Sequence, residues 1–230
     1  MTRLTCDGRE THPELLAHHY TQAGETAPAV HYWHQAGLRA RVNSAHVEAV
    51  THLARSLESL VKLPETTERH RQELAIQRVF GSLLMATQGY GSPAAEQAYR
   101  RAEVLCHQIG DQKKHFSILI GLRMFYHVSG SFKVGYELGE QCLTLAQGLE
   151  DDAILAIAHL HLGHTSYFQG QLVTARSHVE QALAYYDLQQ HGEMLDFWVI
   201  DVGVQSLILT AWILWLARRP MIRETTSKCC

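Results

Sequence analysis

Residues that break helices are scarce in this sequence, which has only 5 prolines and 16 glycines among 230 residues. Long stretches are therefore free to form helices, and none of them shows the alternating apolar and polar pattern of a half-buried β-strand. Hydrophobic residues make up 46% of the chain and charged residues 19%, which is ordinary for a folded protein. The composition predicts a folded and mostly helical chain.

An excess of positive charge is also missing, since the formal net charge is -3 at pH 7. No stripe of Lys and Arg recurs along a predicted helix, so nucleic acid is not expected as a partner. The 16 histidines should make the net charge more positive below about pH 6.5.

Cysteine is present without the spacing of a zinc site or a disulfide framework. The five residues are Cys6, Cys106, Cys142, Cys229 and Cys230, an odd number. The N-terminal residues also lack the apolar segment of a signal peptide. Both observations favour a reducing, cytoplasmic location.

One long apolar run stands near the end of the chain, at residues 202–217, directly before Arg218 and Arg219. A bilayer core requires about 20 apolar residues, and this run is shorter and contains Gln205 and Ser206. A helix that is buried or covered by a partner is therefore favoured over a membrane anchor.

Proline marks the ends of several helices, at Pro13, Pro28, Pro64 and Pro93. Between these residues, apolar side chains recur at intervals of three and four, the period of a helix. The predicted helices lie near 13–23, 27–42, 45–62, 66–88, 93–109, 113–129, 132–148, 152–169, 172–187 and 195–217.

A pattern of six positions recurs along these helices, and its intervals are those of the tetratricopeptide repeat. Four copies keep these intervals: Ala17, Tyr20, Gly24, Ala29, Trp33, Ala36; Gly37, Ala40, Ser44, Ala49, Leu53, Ser56; Arg123, Tyr126, Gly130, Gly135, Gly139, Cys142; and Gly163, Ser166, Gly170, Ala175, Val179, Ala182. A weaker copy has its glycine one residue early: Leu83, Ala86, Gly89, Ala95, Tyr99, Ala102. Gly170 follows Gly130 by 40 residues, more than the usual period of about 34. The first two copies lie so close together that the 27–42 helix must serve both.

These intervals have a physical reason. Small residues let two antiparallel helices approach, larger ones a turn away fill the remaining gap, and glycine adopts the backbone shape of the turn. We therefore predict an all-α fold, a tetratricopeptide-like α-solenoid, meaning a right-handed superhelix of antiparallel helix pairs with about ten helices. It should occupy residues 12–217, after a disordered lead at 1–11 and before an irregular tail at 218–230. An ordinary helical bundle is the alternative.

Whole phrases of the sequence carry a more specific resemblance. PELLAHHYTQAGETAPAVHYWHQAG, LPETTERHRQELAIQ, LMATQGYGSPAAEQAYRRA and LGHTSYFQGQLVTARSHVEQALAYYD resemble the tetratricopeptide region that ends large bacterial signalling proteins. In those proteins a nucleotide cyclase or kinase is joined to a STAND-type regulatory ATPase. The resemblance implies a sensor or scaffold arm that binds a partner or inducer and so controls the ATPase.

The sequence departs from that family in two respects. It contains no G-x-x-x-x-G-K-[ST] phosphate loop and no candidate carboxylates for a cyclase metal. It also ends soon after WILWLARRP, where family members continue into further repeats. The first departure indicates a regulatory arm without the catalytic parts.

Catalytic and metal-binding patterns are not recognised. His159, His161 and His164 share one predicted helix, but residues two apart point to different faces and no carboxylate lies one turn away. Cys106 and Cys142 occupy small packing positions rather than nucleophile positions. We therefore expect no enzyme activity, no cofactor and no metal.

The first helix of each repeat is expected to line a concave groove, and two of these helices carry apolar and aromatic side chains. The predicted groove residues are Ile120, Arg123, Met124, His127, Leu160, His164, Tyr167 and Phe168. Some of them could instead be core, and Arg123 could pair with Glu140 or with an incoming acidic group. Such a groove suits a helix or an extended peptide.

The predicted function is a non-enzymatic protein-interaction or regulatory module that binds a protein or peptide. An ATPase, cyclase or kinase encoded nearby is a candidate partner, and a homodimer through residues 198–217 is another. Three alternatives stay open: a domain that senses a small-molecule inducer, an enzyme of unfamiliar type, and a fragment of a larger signalling protein with no activity of its own.

Overall fold

A computed structural model describes residues 12–187 and 201–218, and every regular element within them is an α-helix. The ten helices are α1 (Pro13–Gln22), α2 (Thr26–Val42), α3 (His46–Leu60), α4 (Thr67–Gln88), α5 (Pro93–Ile109), α6 (Gln112–Val128), α7 (Phe132–Leu149), α8 (Asp152–Phe168), α9 (Leu172–Ala184) and α10 (Val202–Arg218). Their bounds agree with the predicted helices to within a few residues. The predicted lead at 1–11, the predicted helix start at 195–200 and the tail from 219 lie outside the described residues, and Arg218 ends α10.

The chain divides into two compact units between Ser131 and Phe132. Unit 1 contains α1 to α6, and unit 2 contains α7 to α10. Within each unit, helices that follow one another along the chain pack side by side, and short turns separate the helices of the α1–α6 series and those of the α7–α9 series. The predicted repeat domain spans both units.

Five turns use the backbone conformation that the repeat pattern predicts at its third position. The residues with positive φ at this position are Gly24, Ser44, Gly89, Gly130 and Gly170. In four of these turns, the next residue donates its N–H to the carbonyl of the second pattern position, with N···O distances of 2.9 to 3.0 Å. This bond satisfies a carbonyl group at the end of the helix. The turn residue itself, in the left-handed conformation, ends the helix.

The last three positions of every copy are buried, as the close approach of paired helices requires. At Gly37 an added Cβ would lie 2.6 Å from Leu53 Cδ2, and at Gly163 it would lie 2.9 Å from Val179 Cγ2. Real Cβ atoms do not come so close, so in these two copies the first position must be small to fit the larger side chain at the fifth. The helical-repeat prediction is confirmed at these residues.

The α2 helix packs on both of its neighbours, as the overlapping first two copies predict. Trp33 Nε1 on α2 donates a hydrogen bond of 3.0 Å to Thr21 Oγ1 on α1. On the other side, Ser56 Oγ on α3 donates a buried hydrogen bond of 2.9 Å to the Val30 carbonyl of α2. One helix therefore belongs to two successive pairs.

The second half of unit 1 is built around Tyr99 on α5. Its ring lies between Gly81 on α4 and Gly121 on α6, and burial raises the pKa of its hydroxyl to about 12. A bidentate ion pair joins α4 and α5 nearby, because Arg101 Nε and Nη2 lie 2.6 and 2.9 Å from the two oxygens of Glu73. These contacts fix three successive helices to one another.

In unit 2, Asp201 connects the start of α10 to Tyr186, which lies just after the end of α9. Its Oδ1 accepts the Val204 N–H at 2.8 Å, which caps the helix, and its Oδ2 accepts the Tyr186 hydroxyl at 2.7 Å. Gly203 faces the ring of the same tyrosine, where an added Cβ would lie 2.6 Å from Cε1. Among the described residues, no helix combines the length and the apolarity needed to cross a membrane.

Candidate functional site

The predicted groove residues on α6 divide into buried and accessible ones. Ile120 and Arg123 are each 1% exposed, whereas Met124 and His127 are half-buried. The Arg123 guanidinium contacts Met124 Sδ at 4.0 Å. Burial, together with the nearby Arg123 charge, lowers the pKa of His127 to about 4. Of the four predicted groove residues on α6, Met124 and His127 are therefore the ones that solvent reaches.

The predicted groove residues on α8 show the same division. Leu160 is buried, His164 and Tyr167 are half-buried, and Phe168 is 48% exposed. These four residues belong to unit 2, whereas the four on α6 belong to unit 1. The structure thus places each group on one helix of its own unit, and a groove shared by both groups stays a prediction.

Four aromatic side chains of unit 2 form a continuous surface, which we call the aromatic surface: Phe132, Tyr167, Phe168 and Trp212. The rings of Phe132 and Phe168 stack with centroids 5.9 Å apart, and Phe168 meets Tyr167 edge to face at 5.4 Å. Tyr167 in turn lies 5.9 Å from Trp212 on α10. Two regions that the sequence presented separately, the α8 groove residues and the apolar run near the end, therefore meet.

The α10 helix buries only one narrow stripe. Val202, Ser206, Leu209 and Ile213 are buried, at the spacing of one helix face. Seven of the sixteen exposed large apolar side chains of the described residues lie on the rest of this helix. They are Val204, Leu207, Ile208, Trp212, Leu214, Trp215 and Leu216. An apolar area of this kind usually marks an interaction site.

A contact between two half-buried histidines connects α8 and α9. The Nδ1 atoms of His159 and His178 lie 3.1 Å apart, and the His159 ring stacks on Tyr185 with centroids 5.9 Å apart. Burial lowers the pKa of both imidazoles, so both are neutral near pH 7 and one can donate to the other. In the sequence, His159 stands out only together with His161 and His164 on the same helix. The contact with His178 could not be predicted, because spacing within one helix does not reveal a partner on the next helix.

The two described cysteines lie at packing positions within helices, and Cys142 is the last position of a repeat copy. Cys106 and Cys142 are both buried. Burial, with a smaller contribution from Asp111, raises the pKa of Cys106 to about 11, so this thiol is protonated at neutral pH. A protonated thiol is a poor nucleophile, so the surroundings of Cys106 do not activate it.

Comparison with known proteins gives a fold and no family. No protein-family model and no curated protein sequence matches the chain. The structure is similar to that of BtubC (BKLC) from P. vanneervenii, at 15% identity and a TM-score of 0.66, over 94% of this chain and 85% of that one. It is also similar to the apo form of RapI, at 9% identity and a TM-score of 0.64, over 87% of this chain and 54% of that one. Together with the ten described helices, these similarities show that the chain has an all-α helical-repeat fold.

Proposed function

We propose that this chain is a non-enzymatic protein-interaction module that binds a helix of a partner protein on the aromatic surface and the exposed side of α10. The observation that carries the proposal is the apolar exposed side of α10. Each square ångström of apolar area removed from water stabilises a complex by roughly 25 cal/mol before the costs of association. Burial of this apolar side would therefore contribute favourably to binding.

The repeat architecture indicates why the bound element should be a helix. In a helical-repeat array each element covers the apolar face of its neighbour. The exposed apolar residues Val204, Ile208 and Trp212 are spaced four apart, so they form a ridge like those that pack between helices. A partner helix with an apolar face would continue the stacking that α10 itself makes through its buried stripe.

The aromatic surface supplies the expected anchors. Tryptophan and tyrosine are enriched among the residues that contribute most to binding, because they cover a large area with few rotatable bonds. Tyr167 and Trp212 contact each other, and Phe168 beside them is 48% exposed. The partner class that we propose, a bacterial signalling ATPase, cyclase or kinase, rests on the sequence resemblance alone.

The test is a binding measurement with a purified ATPase, cyclase or kinase encoded beside this chain, followed by isothermal titration calorimetry. We expect Trp212→Glu and Phe168→Glu each to weaken binding by about 10- to 100-fold, since each would place a charge in an apolar interface. Val173→Glu on α9 is the matched control, because Val173 is 87% exposed in the same unit and lies outside the aromatic surface. Equal binding by all three variants would refute the proposed surface.

Two further outcomes separate this proposal from its rivals. If sedimentation equilibrium shows a dimer that Trp212→Glu dissociates, the occupant is a second copy of this chain and the partner-helix proposal is wrong. If a metabolite library gives a large thermal shift while no nearby signalling protein binds, the chain senses a small molecule instead. Circular dichroism of each variant confirms that it has kept its helices.

A further inference from the structure

The geometry points to a site for a divalent transition metal, of which Zn²⁺ is the best match, formed by Glu103, His107 and His115 in unit 1. One ligand atom from each of these residues lies within 4.8 Å of the others. The cluster is separate from the aromatic surface, and the inference does not depend on the proposed function.

Two helices and the turn between them bring the three side chains together. Glu103 and His107 are four residues apart on α5, so they lie on one face of that helix. Gly110 ends α5 with a φ of +79°, and His115 follows in the early part of α6. The rings of His107 and His115 come within 4.4 Å between centroids. A hairpin of two helices thus presents three ligands from a short stretch of chain.

The imidazole of His115 gives a second and independent indication. Its Nε2 is buried and has no hydrogen-bond partner among the described residues. A buried nitrogen without a partner is costly, and a metal ion bound to its lone pair would remove that cost.

The donor set selects the kind of metal. Two imidazoles and a carboxylate suit Zn²⁺ and related transition ions, whereas Ca²⁺ and Mg²⁺ prefer oxygen ligands alone. Bonds of about 2.0 Å in a tetrahedral site place the donors about 3.3 Å apart. The three side chains must therefore close in by rotation, which is feasible because His107 is exposed and Glu103 is only half-buried. The fourth position would hold water.

Nearby charges permit this arrangement. Arg100 Nη1 donates to Glu103 Oε2 at 3.1 Å, so we assign Oε1 as the metal ligand. Arg100 also donates to the Tyr126 hydroxyl at 2.9 Å, and it can keep that bond if Glu103 turns towards the metal. The ammonium of Lys114 is paired with Asp111 at 2.7 Å. A bound ion would join α5 to α6 across their turn.

The experiment titrates Zn²⁺ into the full chain, with no histidine tag, by calorimetry near neutral pH. The chain has 16 histidines and 5 cysteines, so weak binding elsewhere is expected as background. We expect one tight equivalent that His107→Ala and His115→Ala each weaken at least about 100-fold, since even residues that only support a ligand change affinity by 10- to 100-fold. His18→Ala, an exposed histidine on α1, should leave it unchanged.

A spectroscopic and a thermal readout complete the test. Co²⁺ in the same site should give the strong visible absorption of a four-coordinate ion, and Glu103→Gln should change that spectrum. Zn²⁺ should raise the thermal midpoint of the wild type and not that of His107→Ala, whose exposed side chain can be removed without harm to the fold. Equal Zn²⁺ affinity in the wild type and His107→Ala, or equal loss in His18→Ala, would overturn the inference.

Discussion

At the scale of single residues, the surroundings of Tyr99 show how tightly the helices of unit 1 are packed. An added Cβ at Gly121 would lie 2.5 Å from Cζ of its ring, and one at Gly81 would lie 3.0 Å from Cε2. The ring cannot move away easily, because glycines on two helices enclose it from both sides. We expect Gly121→Ala to lower the free energy of unfolding by about 1–3 kcal/mol, as overpacking does, and Gly81→Ala to lower it less. Urea denaturation followed by circular dichroism measures both.

The matched control for this prediction is Gly148→Ala. Gly148 lies inside α7, and no atom beyond its neighbours lies within 4 Å of an added Cβ. Alanine should therefore raise the stability by up to about 1 kcal/mol through its better helix propensity. If Gly121→Ala were tolerated as well as Gly148→Ala, the contact with Tyr99 would not constrain the packing.

Several half-buried histidines should make the stability depend on pH. The pKa of His127 is lowered to about 4, and the pKa values of His34, His52, His159 and His178 are lowered as well, with burial as the largest cause. In the unfolded chain they titrate near pH 6.5, so the unfolded state binds more protons below that pH. Stability is therefore full above about pH 6.5 and falls as the pH drops towards the folded pKa values.

Between about pH 7.5 and pH 5 we expect a loss on the order of 1–2 kcal/mol, after discounting for solvent around these partly exposed rings. Urea midpoints across this range give the measurement. His127→Asn should reduce the slope, since one lowered pKa is removed, whereas the exposed His18→Asn should not. A stability that rises towards pH 5 would contradict the assignment of neutral buried imidazoles.

At the scale of elements, one of the five turns in the repeat pattern departs from the glycine that the other four have at this position. Ser44 has a φ of +59° at the position where three equivalent turns have glycine at +76° or +77°. A side chain in this region is strained, while glycine is not. We expect Ser44→Gly to raise the free energy of unfolding by about 0.5–1 kcal/mol, once the greater entropy of unfolded glycine is subtracted. A shift of the urea midpoint to higher concentration would show it.

Ser129→Gly provides the comparison. Ser129 precedes Gly130 at the end of α6 and has an ordinary φ of -74°. Glycine gains nothing at that position and adds flexibility to the unfolded chain, so the variant should be slightly less stable than the wild type. If both serine substitutions moved the midpoint in the same direction, the strain at Ser44 would not explain the effect.

The helices and their turns could be predicted from the sequence because they depend on residues close together along the chain. Proline at first turns, small residues at fixed intervals and glycine at the turn each act locally. The contact of Tyr167 with Trp212 could not be predicted in this way, nor could that of His159 with His178. Both depend on how separate helices rotate and pack, which a pattern within one helix does not determine.

For the candidate site, too, the sequence predicted which residues share a helix face and did not predict which of them are buried. Helical periodicity places Ile120 and Leu160 on the same faces as their accessible neighbours, yet both are buried. A pattern of apolar side chains does not distinguish a lined groove from a packed core, since both are apolar. The Glu103, His107 and His115 cluster did carry a signal in the sequence, a carboxylate and an imidazole four apart followed by a histidine just past the next turn.

At the scale of the whole molecule, the repeat architecture keeps most contacts between successive helices. Stability in such arrays is approximately a sum over repeats and their interfaces, so a part with several repeats can fold without the remainder. Unit 1 contains the Trp33 contacts of α1 to α3, the core around Leu53 and Ile76, and the packing of Tyr99 between two glycines. All of these lie before the boundary at Ser131.

We therefore expect a fragment of residues 1–131 to be helical and to unfold cooperatively in urea. Since Gly81, Tyr99 and Gly121 all belong to this fragment, Gly121→Ala should cost it the same free energy as in the full chain, within about 0.5 kcal/mol. Comparing the two costs separates a fragment with native packing from one that is helical but loosely packed, because only native packing leaves no room for the added methyl group. A fragment without a cooperative transition, or one indifferent to Gly121→Ala, would mean that unit 1 takes its structure from the rest of the chain.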